Sequence, residues 1–150
     1  GSEMCIRDRS YSIHRLPWGR AWNRVATVMI TKLFFIAVGG SLGAPLRYLI
    51  NDSMKDFYFF MLPSGIMLVN FIGCFFICIA MAYISDFKSN AYYLLIIGFL
   101  GSFTTMSAFS QQTIELLYNG KELNALIYVL ASIITCLIGT FLAFYLFKTS

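Results

Sequence analysis

The sequence predicts an all-α membrane protein with four transmembrane helices, on three observations. First, 59% of its 150 residues are hydrophobic and 12% are charged, against roughly 45–50% and about 25% in an average soluble domain. Second, the apolar residues gather into four runs of about 20 residues or more, enough to cross a hydrocarbon core of ~30 Å at 1.5 Å per residue. Third, the separators are short and polar. Lipid offers no partner to a bare backbone N–H or C=O, so runs of this length are helices rather than lone strands.

Residues 1–28 differ in kind from the rest. They hold Arg7, Arg9, Arg15, Arg20 and Arg24, with Pro17, Trp18, Gly19 and Trp22, and no apolar run. A secretory signal would need an apolar core followed by small residues, and neither is present. Met29 is followed at once by apolar sequence. The segment reads as an upstream read-through or assembly scar, an artefact or disordered; the alternative is a basic anchor on the membrane surface. Residues 29–150 form the membrane domain.

The first span is expected over 30–50. Gly39 and Gly43, with Gly40 and Ala44, give it small residues at the spacing that lets helix backbones approach. The second is expected over 62–84, with Pro63 in its first turn, where a missing N–H costs nothing. The third covers 91–117 and is longer than one crossing requires. Gly98 and Gly101 weaken its middle, and Ser102, Thr104, Thr105 and Ser107 can replace lost hydrogen bonds. That composition suits a broken membrane helix, and equally a continuous helix with small residues for close packing. The fourth is expected over 123–147, after the turn signal Asn119-Gly120.

Beyond residue 28 the chain holds six basic and five acidic residues. No basic patch interleaved with aromatics is left, so no nucleic-acid partner is expected. With four spans, Lys32, Lys88 and Lys148 share one side and Arg47, Lys55 and Lys121 the other. Three against three gives no preferred orientation, which fits a chain that inserts both ways and pairs head to tail. Arg-rich residues 1–28, if translated, would tip that balance.

No catalytic constellation is visible, so the chain does not read as an enzyme. Asp52, Asp56, Asp86, Glu115 and Glu122 fall in separators or near helix ends. His14, the only histidine, lies outside the spans. Cys74, Cys78 and Cys136 sit in apolar runs and read as small packing residues, with no zinc spacing and no disulfide framework. The polar groups at depth are neutral: Asn70, Ser102, Thr104, Thr105, Ser107, Ser110, Tyr128 and Ser132. Donors without carboxylates suit an anion. Asn70 must face protein or water, as a pore group or in an interhelical hydrogen bond. Phe109 is either packing or a pore aromatic offering its positive ring edge.

The strings GGSLGAPLRY (39–48), MLVNFIGCF (67–75) and GFLGSFTTMSAFS (98–110) together resemble the Fluc, or CrcB-like, fluoride channels, from Met29 to about the C-terminus. The resemblance implies a third helix broken at its middle and an antiparallel, dual-topology homodimer with two fluoride pores. It also implies a structural Na+ at the dimer centre, held by backbone carbonyls that match Gly101 and Ser102. Asn70 resembles the pore asparagine and Phe109 the second of the paired phenylalanines. Ser107 and Thr105 fit the hydroxyl-bearing part of the third helix, and Tyr128 and Ser132 the polar track of the fourth. Arg47 resembles the vestibule arginine. Three positions depart: Met106 replaces the first paired phenylalanine, Ala108 a common threonine, and Gln112 a glutamate of some members. Conduction is expected to survive, with the ion path at Met106 altered.

The implied activity is passive, fluoride-selective leakage of cytoplasmic fluoride through the cell membrane, with fluoride, the lipid bilayer and a second copy as partners. A four-helix dual-topology antiporter would need a carboxylate in its first span, and 30–50 contains none. A non-transporting four-span assembly protein is the other rival.

Overall fold

The computed structural model describes residues 17–54, 56–59 and 62–147. Cys5, His14, Arg7, Arg9, Arg15, Lys55 and Lys148 lie outside them, and so does part of the charge balance read above. The chain divides into a unit of Gly1–Thr31 and a unit of Lys32–Ser150. In the first, helix backbone begins at Pro17, well before residue 30, where the first span was expected to start. Pro17 suits that place, because a first helical residue has no use for its N–H. Thr27 and Thr31 donate their hydroxyls one turn back, to the carbonyls of Asn23 and Thr27.

Among the described residues, four stretches are long and apolar enough to cross a membrane: Trp22–Ser53, Ser64–Tyr83, Tyr92–Tyr118 and Glu122–Phe147. The first lies within helix α1, Pro17–Ser53. Two two-residue strands follow, β1 (Tyr58–Phe59) and β2 (Leu62–Pro63), paired antiparallel. No residue pattern in 51–63 signals this small bridge. Helix α2 is Ser64–Tyr83. Pro63 caps it from outside, with an extended backbone at φ −66° and ψ 115°.

The third stretch is not one regular helix. Tyr92–Leu100 is π-helical, then a short helical turn, α3, covers Gly101–Phe103, and α4 runs over Met106–Tyr118. The Gly101 N–H donates to the carbonyls of both Ile96 and Gly98. π-Helical turns are rare and concentrate at functional places. Between α3 and α4, Thr104 (ψ 149°) and Thr105 (φ −152°, ψ 125°) are extended. Gly101 and Ser102, the positions matched to the cation site, therefore lie in the helical turn just before the extended pair. Helix α5 is Glu122–Phe147, one residue longer than expected at its start. Gly120, at φ 68°, makes the turn into it in a backbone conformation that glycine adopts without strain.

Two contacts set the architecture of Lys32–Ser150. Helix α1 lies directly on the π-helical segment. A Cβ on Gly39 would stand 2.7 Å from the Phe99 nitrogen, and one on Gly98 2.7 Å from the Ile36 carbonyl oxygen. A Cβ on Gly43 would collide with the Phe99 carbonyl and the Ser102 hydroxyl. The GxxxG spacing thus marks real backbone-to-backbone packing. The second contact is α2 against α5. A Cβ on Gly139 would fall 3.1 Å from the Phe71 carbonyl oxygen. The rings of Tyr83 and Phe147 meet edge to face near the far ends of the two helices. At the opposite ends Leu62, Leu116, Ala125 and Tyr128 form a buried cluster, with Met67 and Phe109 against it.

Candidate functional site

The site is organised by one side chain. Thr105 N–H donates to Asn70 Oδ1 at 2.9 Å, and Asn70 Nδ2 donates to the Thr105 carbonyl at 3.3 Å. The carboxamide has the same donor and acceptor as a peptide group, so it pairs with the extended residue as a neighbouring strand would. It does so where lipid would leave both groups bare, and where an unpaired buried group costs about 1–3 kcal/mol. Asn70 is itself buried. Its interhelical bond and its place in a cavity are therefore compatible, because the amide carries two N–H donors and Thr105 takes one.

The same bond changes the carbonyls upstream. Thr104 N–H still donates to the Leu100 carbonyl at 3.0 Å. Thr105 N–H, which a continuous helix would give to Gly101, goes to Asn70 instead. Met106 opens a new helix after an extended residue, so its N–H has no carbonyl one turn back. The carbonyls of Gly101 and Ser102 are thereby released from the helical ladder. The hydroxyls around them are engaged locally. Ser102 Oγ donates to the Gly98 carbonyl at 2.7 Å, reaches those of Phe99 and Gly40, and so ties the turn to α1. Thr104 Oγ1 donates to the Leu100 carbonyl. Thr105 Oγ1 shares a 3.0 Å hydrogen bond with Ser107 Oγ and accepts from Ala108 N–H, capping α4.

A cavity of about 780 Å³ opens between α2, the Thr104–Thr105 corner and α5, and Asn70, Thr105, Met106, Phe109 and Ser132 all line it. Ser132 is buried, and among the described residues its hydroxyl makes no hydrogen bond of ordinary geometry. A buried hydroxyl without a well-formed hydrogen bond is costly, so Ser132, beside Tyr128, can take a further partner. Phe109 stacks on Tyr128, with ring centroids 5.3 Å apart and planes at 26°. Tyr128 is wholly buried and donates its hydroxyl to Gln112 Oε1 at 2.6 Å. Gln112 Nε2 in turn reaches Asn51 Oδ1 at 3.5 Å. Asn51 and Gln112 line a second, smaller cavity of about 290 Å³, with Ala108 and Glu115. A chain of contacts thus leads from the larger cavity through Phe109, Tyr128 and Gln112 to the smaller one.

Seven residues singled out in the sequence as pore groups are placed as follows. Asn70, Thr105, Met106, Phe109 and Ser132 come together in one cavity. Tyr128 joins through its ring stack, and Ser107 through Thr105. Met106 is 72% exposed, so this wall of the cavity is open in the single chain. Among the described residues, Arg47 lines neither cavity; it is half-buried on α1, one helical turn before Asn51. Sequence reasoning treated Gln112 only as a departure and Asn51 only as the start of a separator. Their signal was weak, since amides near span ends are ordinary.

A family model described as CrcB-like protein, Camphor Resistance (CrcB), matches residues 34–144. Three relatives carry the name "Fluoride-specific ion channel FluC". The one from Shewanella denitrificans is 37% identical over 115 residues, covering 75% of this chain and 93% of its own. The Aquifex aeolicus protein is 35% identical over 117 residues, 76% of this chain and 94% of its own. The Parabacteroides distasonis protein is 38% identical over 119 residues, 78% of this chain and 93% of its own.

Proposed function

The chain belongs to the CrcB-like family, and from that premise we propose that it is a passive, fluoride-selective channel of the cell membrane that lets cytoplasmic fluoride escape. The observation that carries this reading is the composition of the larger cavity. Its polar groups are neutral donors, Asn70 with a spare N–H and Ser132 with a buried hydroxyl that forms no well-shaped hydrogen bond among the described residues. A small, strongly hydrated anion gives up its water only where donors replace it. Phe109 adds a ring at the same wall, and a ring edge is electropositive. Tyr128, Thr105 and Ser107 continue the polar route, and Arg47 draws anions toward it from α1. No energy coupling is needed, because fluoride enters an acid-exposed cell as neutral HF and ionises inside.

The open side of the cavity favours a second copy. Met106 and Gly101 are exposed on the single chain, and an antiparallel homodimer would cover them and complete two pores. A structural Na+ fits the released carbonyls of Gly101 and Ser102, since hard cations prefer oxygen ligands. Bound there, the ion would supply positive charge to opposed carbonyl dipoles at the dimer centre.

In liposomes, the protein is expected to release trapped fluoride and retain chloride, each followed with an ion-selective electrode. Equal release of both ions would remove the selectivity claim, and unidirectional topology tags in cells would remove the antiparallel dimer.

A further inference from the structure

Two thiols that the anion route does not use face the same cavity. Cys74 on α2 and Cys136 on α5 both line it. Both are half-buried, and neither is in a disulfide. The two side chains come from facing helices and stand within interaction range of each other at the cavity wall. The backbone explains how they meet. Gly139, one turn beyond Cys136, lets α5 press against the carbonyl of Phe71, one turn before Cys74. That close approach lies one turn from each cysteine, so short side chains there can face one another. Cys78, one turn further along α2, does not line this cavity among the described residues.

We propose that Cys74 and Cys136 form a two-coordinate binding site for a soft, thiophilic metal ion, for which Hg2+ is the matching probe. Thiolate sulfur selects soft ions over hard ones. Among the described residues, the pair offers two sulfurs and no carboxylate or imidazole beside them in the cavity wall, which is too few ligands for tetrahedral zinc and the right number for linear coordination. The step balances without any redox partner. Each thiol gives up its proton, each sulfur takes one bond to the metal, and two protons leave through the cavity. The product of Hg2+ with two thiolates is neutral, and a neutral complex is the one a low-dielectric site accepts most readily. Such a clasp would join α2 to α5 beside Asn70 and Ser132 and obstruct the cavity.

The test uses the full chain with Cys5→Ser and Cys78→Ser, so that only the pair remains. Titrated with Hg2+ in detergent, it is expected to take up one ion per chain. Both thiols should disappear together in a thiol assay, and the metal–thiolate charge-transfer band should saturate at that ratio. Adding Cys74→Ser or Cys136→Ser should weaken binding by about a hundredfold or more, because the second ligand acts at high effective concentration. Two ions per chain, no uptake, or unchanged affinity in the single-thiol variants would overturn the site. In liposomes, Hg2+ should slow fluoride release from the paired-thiol protein and spare either single-thiol variant. Slowing that is equal in all three would overturn the placement of the metal in the cavity. The titration needs no ion flux, so a protein that never conducts fluoride would refute the proposed function and leave the metal site standing or falling on its own stoichiometry.

Discussion

The two halves of the third span differ in almost every respect, although the chain between them is only two residues long. The first half, Tyr92–Phe103, is apolar, glycine-punctuated and pressed against α1 so closely that Gly39, Gly43 and Gly98 have no room for a Cβ. The second half, Met106–Tyr118, carries Ser107, Ser110, Gln111 and Gln112 and leaves Met106 open. One half is built by backbone contact, the other by side-chain hydrogen bonds. Asn70 holds the seam, supplying the peptide-like pairing that extended Thr105 lacks. The lesson is that where residues of an apolar stretch leave the helical ladder, a neighbouring carboxamide can stand in for the lost partner.

The largest effect is expected where the first half meets α1. Gly43→Ala places a methyl group against the Phe99 carbonyl and the Ser102 hydroxyl, and backbone cannot give as a side chain can. It should cost roughly 1–3 kcal/mol and sharply reduce monodisperse protein in detergent chromatography after heating. Gly40→Ala is the internal control, because its nearest neighbours would be 4.0 Å away. Equal loss in both variants would show that the close approach at Gly43 has been overread.

Next comes the seam. Asn70→Ala strands the Thr105 N–H and carbonyl, at about 1–3 kcal/mol for such a buried group. Fluoride release should fall at least about tenfold, the equivalent of 1.4 kcal/mol. Asn70→Asp still accepts from Thr105 N–H but cannot donate to its carbonyl, and it adds a negative charge beside the anion route. It is expected to fold better than the alanine variant and to conduct no better. If Asn70→Asp conducted like the parent protein, the donor role of the amide would be wrong.

A smaller effect belongs to the second half. Tyr128→Phe keeps the stack on Phe109 and deletes the hydroxyl bond to Gln112. It should cost about 1 kcal/mol, seen as a modest drop in thermal midpoint and a several-fold slower fluoride release. Smallest of all is Met106→Phe. Exposed substitutions lie within about ±0.5 kcal/mol, so folding should be unchanged. Fluoride release should rise, because a ring edge replaces a thioether at the open wall. A slower release would mean that Met106 is itself the better fit to this pore.

Part of this was legible from residue order alone. The four spans follow from apolar run length, because the hydrocarbon thickness fixes the minimum and lipid excludes unpaired backbone. The observed stretches Ser64–Tyr83 and Glu122–Phe147 match their expected ranges within about two residues. The pairing of Gly39 with Gly43, and the neutral polar set of Asn70, Thr105 and Ser132, were also readable, since small and polar groups at depth must face protein. Tertiary structure alone decided the rest. Local propensity could not say that Thr104 and Thr105 are extended, because the hydrogen bonds that hold Thr105 join residues 35 positions apart. Nor could it pair Cys74 with Cys136 or Tyr128 with Gln112. Helical period says which side a residue occupies, and only the packing of one helix on another says what stands opposite.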